Sequence, residues 1–225
     1  MPVRKVVLAN DQVYHVINRG VNHQNIYMNK WDYKRALITL KYYQYNSTPL
    51  SLSHFLYLNK EEQQEIFKSI KKKSKKNIEI YAYCLMPNHF HLLLKQKIEN
   101  GISKFLSNFQ NSYTKYLNLS KKRTGHLFQG QFKAVRIETD EQFIHVARYI
   151  HLNPFTSYIV KNFKGLKIYP WSSLQEYLGV TSYNICKKHE LLSHFKSIKE
   201  FNKHIIDQKN YLEAIDKIEH LIIEE

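Results

Sequence analysis

The sequence predicts an α+β fold: an antiparallel sheet with helices packed on it, in a ferredoxin-like or RNA-recognition-like layout, followed by a mostly helical extension. Three observations carry this. Short alternating apolar runs recur with helical runs between them, in the order β-α-(α)-β-β-α-β-α. Two of the strand runs, NIEIYAYCL and HFHLLLK, are separated only by Met86-Pro87-Asn88, as in a hairpin or adjacent antiparallel strands. Hydrophobic residues make up 43% of 225 residues, enough to bury a core in one large domain.

Residues 11–19 (DQVYHVINR) alternate Val13, His15 and Ile17 against Tyr14, Val16 and Asn18, and read as a first strand ending at Gly20. Residues 30–46 lack Gly and Pro; Tyr33, Ala36, Leu37, Leu40 and Tyr43 form the apolar stripe of a helix. Residues 59–76 continue as a helix running into a lysine cluster, which suits a solvated helix C-terminus as well as it suits contact with DNA. Residues 77–85 and HFHLLLK are the hairpin strands. Residues 101–119 form a helix with Ile102, Phe105, Leu106, Phe109, Tyr113, Tyr116 and Leu117 on its apolar side. After a loop with two glycines (KKRTGHLFQGQ), residues 132–138 are the last strand. Thr139 and Gln142 have capping-box spacing for a helix that Pro154 is expected to stop. Helices are expected on one side of the sheet. We divide the chain into a domain at 1–155 and an extension at 156–225, where SIKEFNKHIIDQ and NYLEAIDKIEHLI read as helical.

Lys and Arg number 34 against 19 Asp and Glu, a net charge of +15. Such a surface points to a polyanion, nucleic acid before an anionic membrane. Seventeen tyrosines among the basic residues suit stacking of exposed bases, although an AT-rich genome yields a similar composition. No run is apolar for 18 residues, so no membrane span is expected, and Val6–Ala9 is too short for a signal-peptide core. Cys84 and Cys186 lack metal-ligand spacing, which fits a reducing cytoplasm.

Two stretches can carry chemistry. In MPNHFHLLLK, His89 and His91 are two apart in a strand and project to one face, while Phe90 enters the core. Two neutral imidazoles are half of a divalent-metal site; alone they are a weak signal and more often two surface histidines on a sheet face. In HVARYIHLNP, Tyr149 and Asn153 are four apart and share a helix face, with His145 one turn earlier. A tyrosine hydroxyl can attack phosphorus. Helical periodicity alone would leave Tyr149 a core residue and Asn153 a helix terminus.

Together, MPNHFH, GHLFQGQFK and RYIHLNP resemble the REP-associated tyrosine transposases, single-tyrosine members of the HUH nucleases. The similarity runs over about residues 10–180, from YHVINRG to YPWSS. The resemblance implies that His89, His91 and Asn153 hold a metal and that Tyr149 is the nucleophile. The metal implied is magnesium or manganese, though two histidines also suit zinc. It implies single-stranded or hairpin DNA as substrate, cleaved to a 5′-phosphotyrosine link and a free 3′-OH that can rejoin strands, in a cytoplasmic, nucleoid-associated monomer or homodimer. Arg19, Arg123, His126, Gln129, Lys133 and Arg148 are candidate DNA contacts. Members often carry arginine where this chain has Gln131. Tyr113, with Tyr116 and Asn118 nearby, competes as nucleophile but keeps the period of packing residues. A catalytically inactive or domesticated nucleic-acid-binding module is the alternative; an RNA-processing nuclease would need recognition of a 2′-hydroxyl.

Overall fold

In the computed structural model, residues 6–207 and 218–222 are described. Strands β1 (Val13–Arg19), β2 (Ile78–Met86), β3 (His89–Gln96) and β4 (Lys133–Ile137) form one antiparallel sheet in the order β2-β3-β1-β4. Helices α1 (Lys30–Tyr42) and α4 (Gly101–Ser120) make the two crossovers of a ferredoxin-like unit. The loop between α1 and β2 holds α2 (Leu52–Tyr57), which lies outside the helical runs read from sequence, and α3 (Lys60–Lys73). Polar side chains start these helices: Ser51 accepts from the His54 amide, and Asn59 with Glu62 completes a capping box.

Helices cover both faces of the sheet, not one. On the first face α1 and α4 bury Tyr33, Leu37, Phe105 and Phe109 against Tyr14, Val16, Phe90, Leu92 and Leu94. On the second, α5 (Asp140–Thr156) buries Val146, Tyr149 and Ile150 against Ala82, Cys84 and Leu93. The cause lies in the strands. In β3, Leu92, Leu93 and Leu94 are all fully buried, so both faces need cover, and each leucine removed from water stabilises by about 1.5–3 kcal/mol.

Helix α5 opens on the expected capping box: Thr139 accepts from the Gln142 amide at 3.1 Å, and Gln142 accepts back from the Thr139 amide at 3.4 Å. It does not stop at Pro154 but runs through it to Thr156. Proline forfeits only its own amide bond, and the bonds beyond it persist, from the Ser157 amide to the Asn153 carbonyl and from Val160 to Pro154.

The described part of the C-terminal segment is less helical than its sequence pattern suggests. Among the described residues it holds four short helices, α6 (Phe163–Ile168), α7 (Leu174–Tyr177), α8 (Lys188–Leu192) and α9 (Ile198–Ile206), joined by irregular chain. The run NYLEAIDKIEHLI lies mostly outside the described residues; Glu219–Leu221 within it is one 3₁₀ turn. Much of the irregular chain straps the outer edge of β2. The Leu85 amide donates to Trp171, the Ser173 amide to Tyr83, and the Lys187 amide to Ile80, at 2.8–2.9 Å. Tyr169 and Tyr177 donate their hydroxyls to the carbonyls of Leu85 and Tyr81. Glu176, buried beside this strap, accepts from the Tyr83 hydroxyl and from the Ile185 and Cys186 amides. No described helix is long and apolar enough to cross a membrane.

Candidate active site

The register of β3 against β1, with Ile17 opposite His91 and Arg19 opposite His89, turns both histidines toward α5. Their rings stand perpendicular with centroids 4.8 Å apart. His91 is fully buried, whereas His89 is half-buried with Nδ1 2.6 Å from the Asn88 side-chain oxygen. From α5, Tyr149 sets its ring edge-on to His91 at 5.5 Å, and Asn153 brings Nδ2 to 3.3 Å from His91 Nε2. The structure therefore brings His89, His91, Tyr149 and Asn153 to one place between β3 and α5. His145 turns elsewhere: Nε2 lies 3.7 Å from Glu141, and its ring 6.1 Å from His204 of α9.

A fifth residue, outside both motifs, completes the group. His15, fully buried on β1, places Nε2 3.0 Å from His91 Nδ1 and Nδ1 2.8 Å from the Leu221 carbonyl. A carbonyl only accepts, so His15 Nδ1 carries a proton and its Nε2 accepts from His91 Nδ1–H. His91 Nε2 is then left with its lone pair facing Asn153. Burial, then the neighbouring His89 and His15, holds the His91 pKa well below the usual imidazole range, so the ring is neutral. The sequence signal for His15 was its place on the same strand face as Ile17. Which neighbouring strand it meets depends on sheet order.

This arrangement fits a divalent cation held by two imidazoles and one amide oxygen. His91 presents an unprotonated Nε2, and its other nitrogen is anchored by a hydrogen-bond acceptor, as is usual for a ligating histidine. Asn153 would have to rotate its amide to offer Oδ1 in place of Nδ2, a rotation about one bond. Among the described residues no group of three or more His, Cys, Asp or Glu side chains could hold a metal, so the amide would be needed in any such set.

Tyr113 lies on the opposite face of the sheet, in the first core, where its hydroxyl donates to the Ile26 carbonyl at 2.6 Å. Arg19, Gln129 and Lys133 line one pocket of about 240 Å³ with Ile17, Asn18 and Gln131, at the end of β1 that pairs with His89. Gln131 thus belongs to the same pocket wall as these basic side chains. Arg123 is engaged by its own surroundings, donating to Asn118 at the end of α4 at 2.9 Å and to the His126 carbonyl in its loop; His126 is exposed. Arg148 is a correction. It is buried, donates to the Asp207 carbonyl beyond α9, and offers no surface to a nucleic acid. On α5 it flanks Tyr149, and the turn that aims Tyr149 at the sheet aims Arg148 under the C-terminal segment.

Residues 54–153 match the family described as IS200-like transposases, a segment that begins in α2 and ends on Asn153. No curated protein matches the chain. Among solved structures, the REP-associated tyrosine transposase bound to a REP hairpin is similar in fold, with a TM-score of 0.54 at 13% identity, over 84% of this chain and 98% of that one. The chain thus contains a segment similar to the IS200-like transposases, with His89, His91, Tyr149 and Asn153 inside it, on a fold shared with a REP-associated tyrosine transposase.

Proposed function

We propose that the protein is a single-strand DNA endonuclease and strand transferase whose nucleophile is Tyr149. The observation that carries this reading is the approach of Tyr149 and Asn153 to His91 across the β3–α5 contact, within one chain. The family match and the hairpin bound by the structural neighbour support DNA, hairpin DNA in particular, as the substrate. A site complete within one chain favours action in cis, and a DNA substrate would place the protein on the nucleoid.

In this reading the Tyr149 oxygen attacks the scissile phosphorus and the bond from phosphorus to the 3′ oxygen breaks. The phenol gives up a proton and the departing 3′ oxygen takes one up, so the step is neutral overall. The phosphotyrosine keeps the energy of the phosphodiester, and the 3′-OH can reverse the step to join strands. His89, His91 and Asn153 would hold the cation, magnesium or manganese. A cation there supplies Lewis acidity toward a phosphate oxygen. His15 keeps the His91 ring in the tautomer that serves such a site. Arg19, Gln129 and Lys133 lie where the strand would enter.

The test is a denaturing gel of single-stranded hairpin DNA, labelled at either end, incubated with manganese. Wild type is expected to retain the 3′-labelled fragment covalently and to release the 5′-labelled one, and Tyr149→Phe to form no adduct. An adduct that survives Tyr149→Phe moves the nucleophile elsewhere. Salt-sensitive binding without an adduct on any of several hairpins favours the non-catalytic module.

A further inference from the structure

Away from this site, the outer side of α1 joins a groove under α3. The inner side of α1 packs on the first core through Tyr33, Ala36, Leu37 and Leu40. Its exposed positions Trp31, Lys34 and Ile38 and the half-buried Lys41 follow one another at helical spacing along a single stripe about 15 Å long at ~1.5 Å per residue. Trp31 is 61% exposed and Ile38 39%. The Trp31 ring is flanked by two ammonium groups, Lys30 at 5.3 Å and Lys34 at 5.0 Å.

At its far end the stripe enters a groove of about 450 Å³ between α1, α2 and α3. Lys41, Lys60, Lys68 and Lys71 line it above Phe55 and Phe67, and no carboxylate is among its lining residues. Lys41 and Lys71 both direct their ammonium groups at the Phe67 ring, at 5.6 and 5.2 Å. Lys41 also donates to the Tyr183 carbonyl at 2.6 Å; burial and, after it, the charge of Lys71 lower its pKa, so repulsion between the two cations persists. A phosphate seated there would relieve that repulsion.

We propose that this track binds a length of single-stranded DNA outside the nuclease site: bases stack on Trp31 and over the apolar floor, and the Lys41–Lys71 groove takes the backbone phosphates. Aromatic platforms alternating with lysines are what sequence-tolerant single-strand recognition requires, whereas a surface built for charge alone would not expose Trp31. The track lies on the side of the sheet opposite Tyr149, so a strand there is held apart from the strand being cut. The proposal rests on the reading of DNA as substrate but not on Tyr149 chemistry.

Trp31 is its own reporter, because the other tryptophan, Trp171, is half-buried and stacked on Tyr33. Tryptophan fluorescence is titrated with oligo(dT) in the presence of a chelator, for wild type and Tyr149→Phe alike. Both are expected to quench saturably with the same affinity. Lys68→Glu/Lys71→Glu is expected to lose about 10-fold in affinity and to flatten the log K against log salt slope by about 1.4, two phosphate contacts at ~0.7 each. Lys199→Glu/Lys203→Glu, an equal change of charge on exposed α9 positions, is expected to stay within about 2-fold of wild type. Equal losses in both double variants, displacement by polyphosphate as effective as by oligo(dT), or binding without Trp31 quenching overturns the proposal. A protein that forms no Tyr149 adduct yet passes this titration refutes the nuclease reading and leaves the track standing.

Discussion

Replacing His15 tests whether the second sphere of the site is as the geometry describes. His15→Leu removes two buried hydrogen bonds, strands the His91 Nδ1–H, and strands the carbonyl of Leu221, a residue only 2% exposed. Each orphaned group costs about 1–3 kcal/mol, and the added apolar side chain returns part of that, for a net loss of about 3 kcal/mol. At about 2–4 °C per kcal/mol for a chain of this length, the melting temperature falls by about 6–12 °C. His15→Gln can still accept from His91 but no longer reaches Leu221, so about half the loss is expected. The second readout is manganese affinity, measured by calorimetric titration. With the His91 tautomer unpinned, Kd is expected to rise about 10–100-fold in His15→Leu, and by much less in His15→Gln. A melting temperature unchanged within about 2 °C, or a Gln variant binding manganese as poorly as the Leu variant, refutes the role assigned to His15.

Other outcomes follow from buried groups. His151 is fully buried beside the Ser173 hydroxyl, and burial pushes its pKa down to about 3. The unfolded chain takes up that proton near pH 6.5 and the folded one does not. This contribution is therefore complete above about pH 6.5 and is lost as pH falls, by about 2 kcal/mol at pH 5 from this residue alone. Urea midpoints at pH 7.5 and 5 measure it, and His151→Gln should shrink the difference. Tyr113→Phe should lower stability by about 1–2 kcal/mol through loss of the bond to the Ile26 carbonyl, seen in urea unfolding, and leave adduct formation intact. Glu176→Gln puts an amide where three donors converge and should cost about 1–3 kcal/mol in the same assay.

Strands and long helices were legible because their signals are local: period-two alternation in Val13–Arg19, the break at Pro87, the Thr139–Gln142 cap. The pairing of His89 with His91, and of Tyr149 with Asn153, follows from strand and helix periods in the same way. What escaped depends on contacts distant in sequence. Leu92, Leu93 and Leu94 in succession already implied cover on both faces, a sign outweighed by the expectation of a one-sided sheet. His15 acquires its role only once β1 lies beside β3, 76 residues away. Arg148 reads as a surface cation beside Tyr149, because nothing local reveals that the chain beyond α9 returns over it. Pro154 reads as a stop, yet packing of the last turn of α5 outweighs the single amide bond it forgoes.

The strap along β2 sets an order of events during synthesis. Tyr83 and Ser173, which pair at the sheet edge, are 90 residues apart. At ~5–20 residues per second, the nine-residue strand leaves the ribosome about 5–20 s before its cover does, long enough for β3 to pair with it and with β1. Through that interval the nascent chain displays an apolar, hydrogen-bond-hungry edge of the kind that recruits another strand. The exposure of Ile78–Met86 therefore depends on what shields that edge until Trp171–Ser173 arrives. A ribosome stalled within that window would release an aggregation-prone fragment rather than a smaller folded protein.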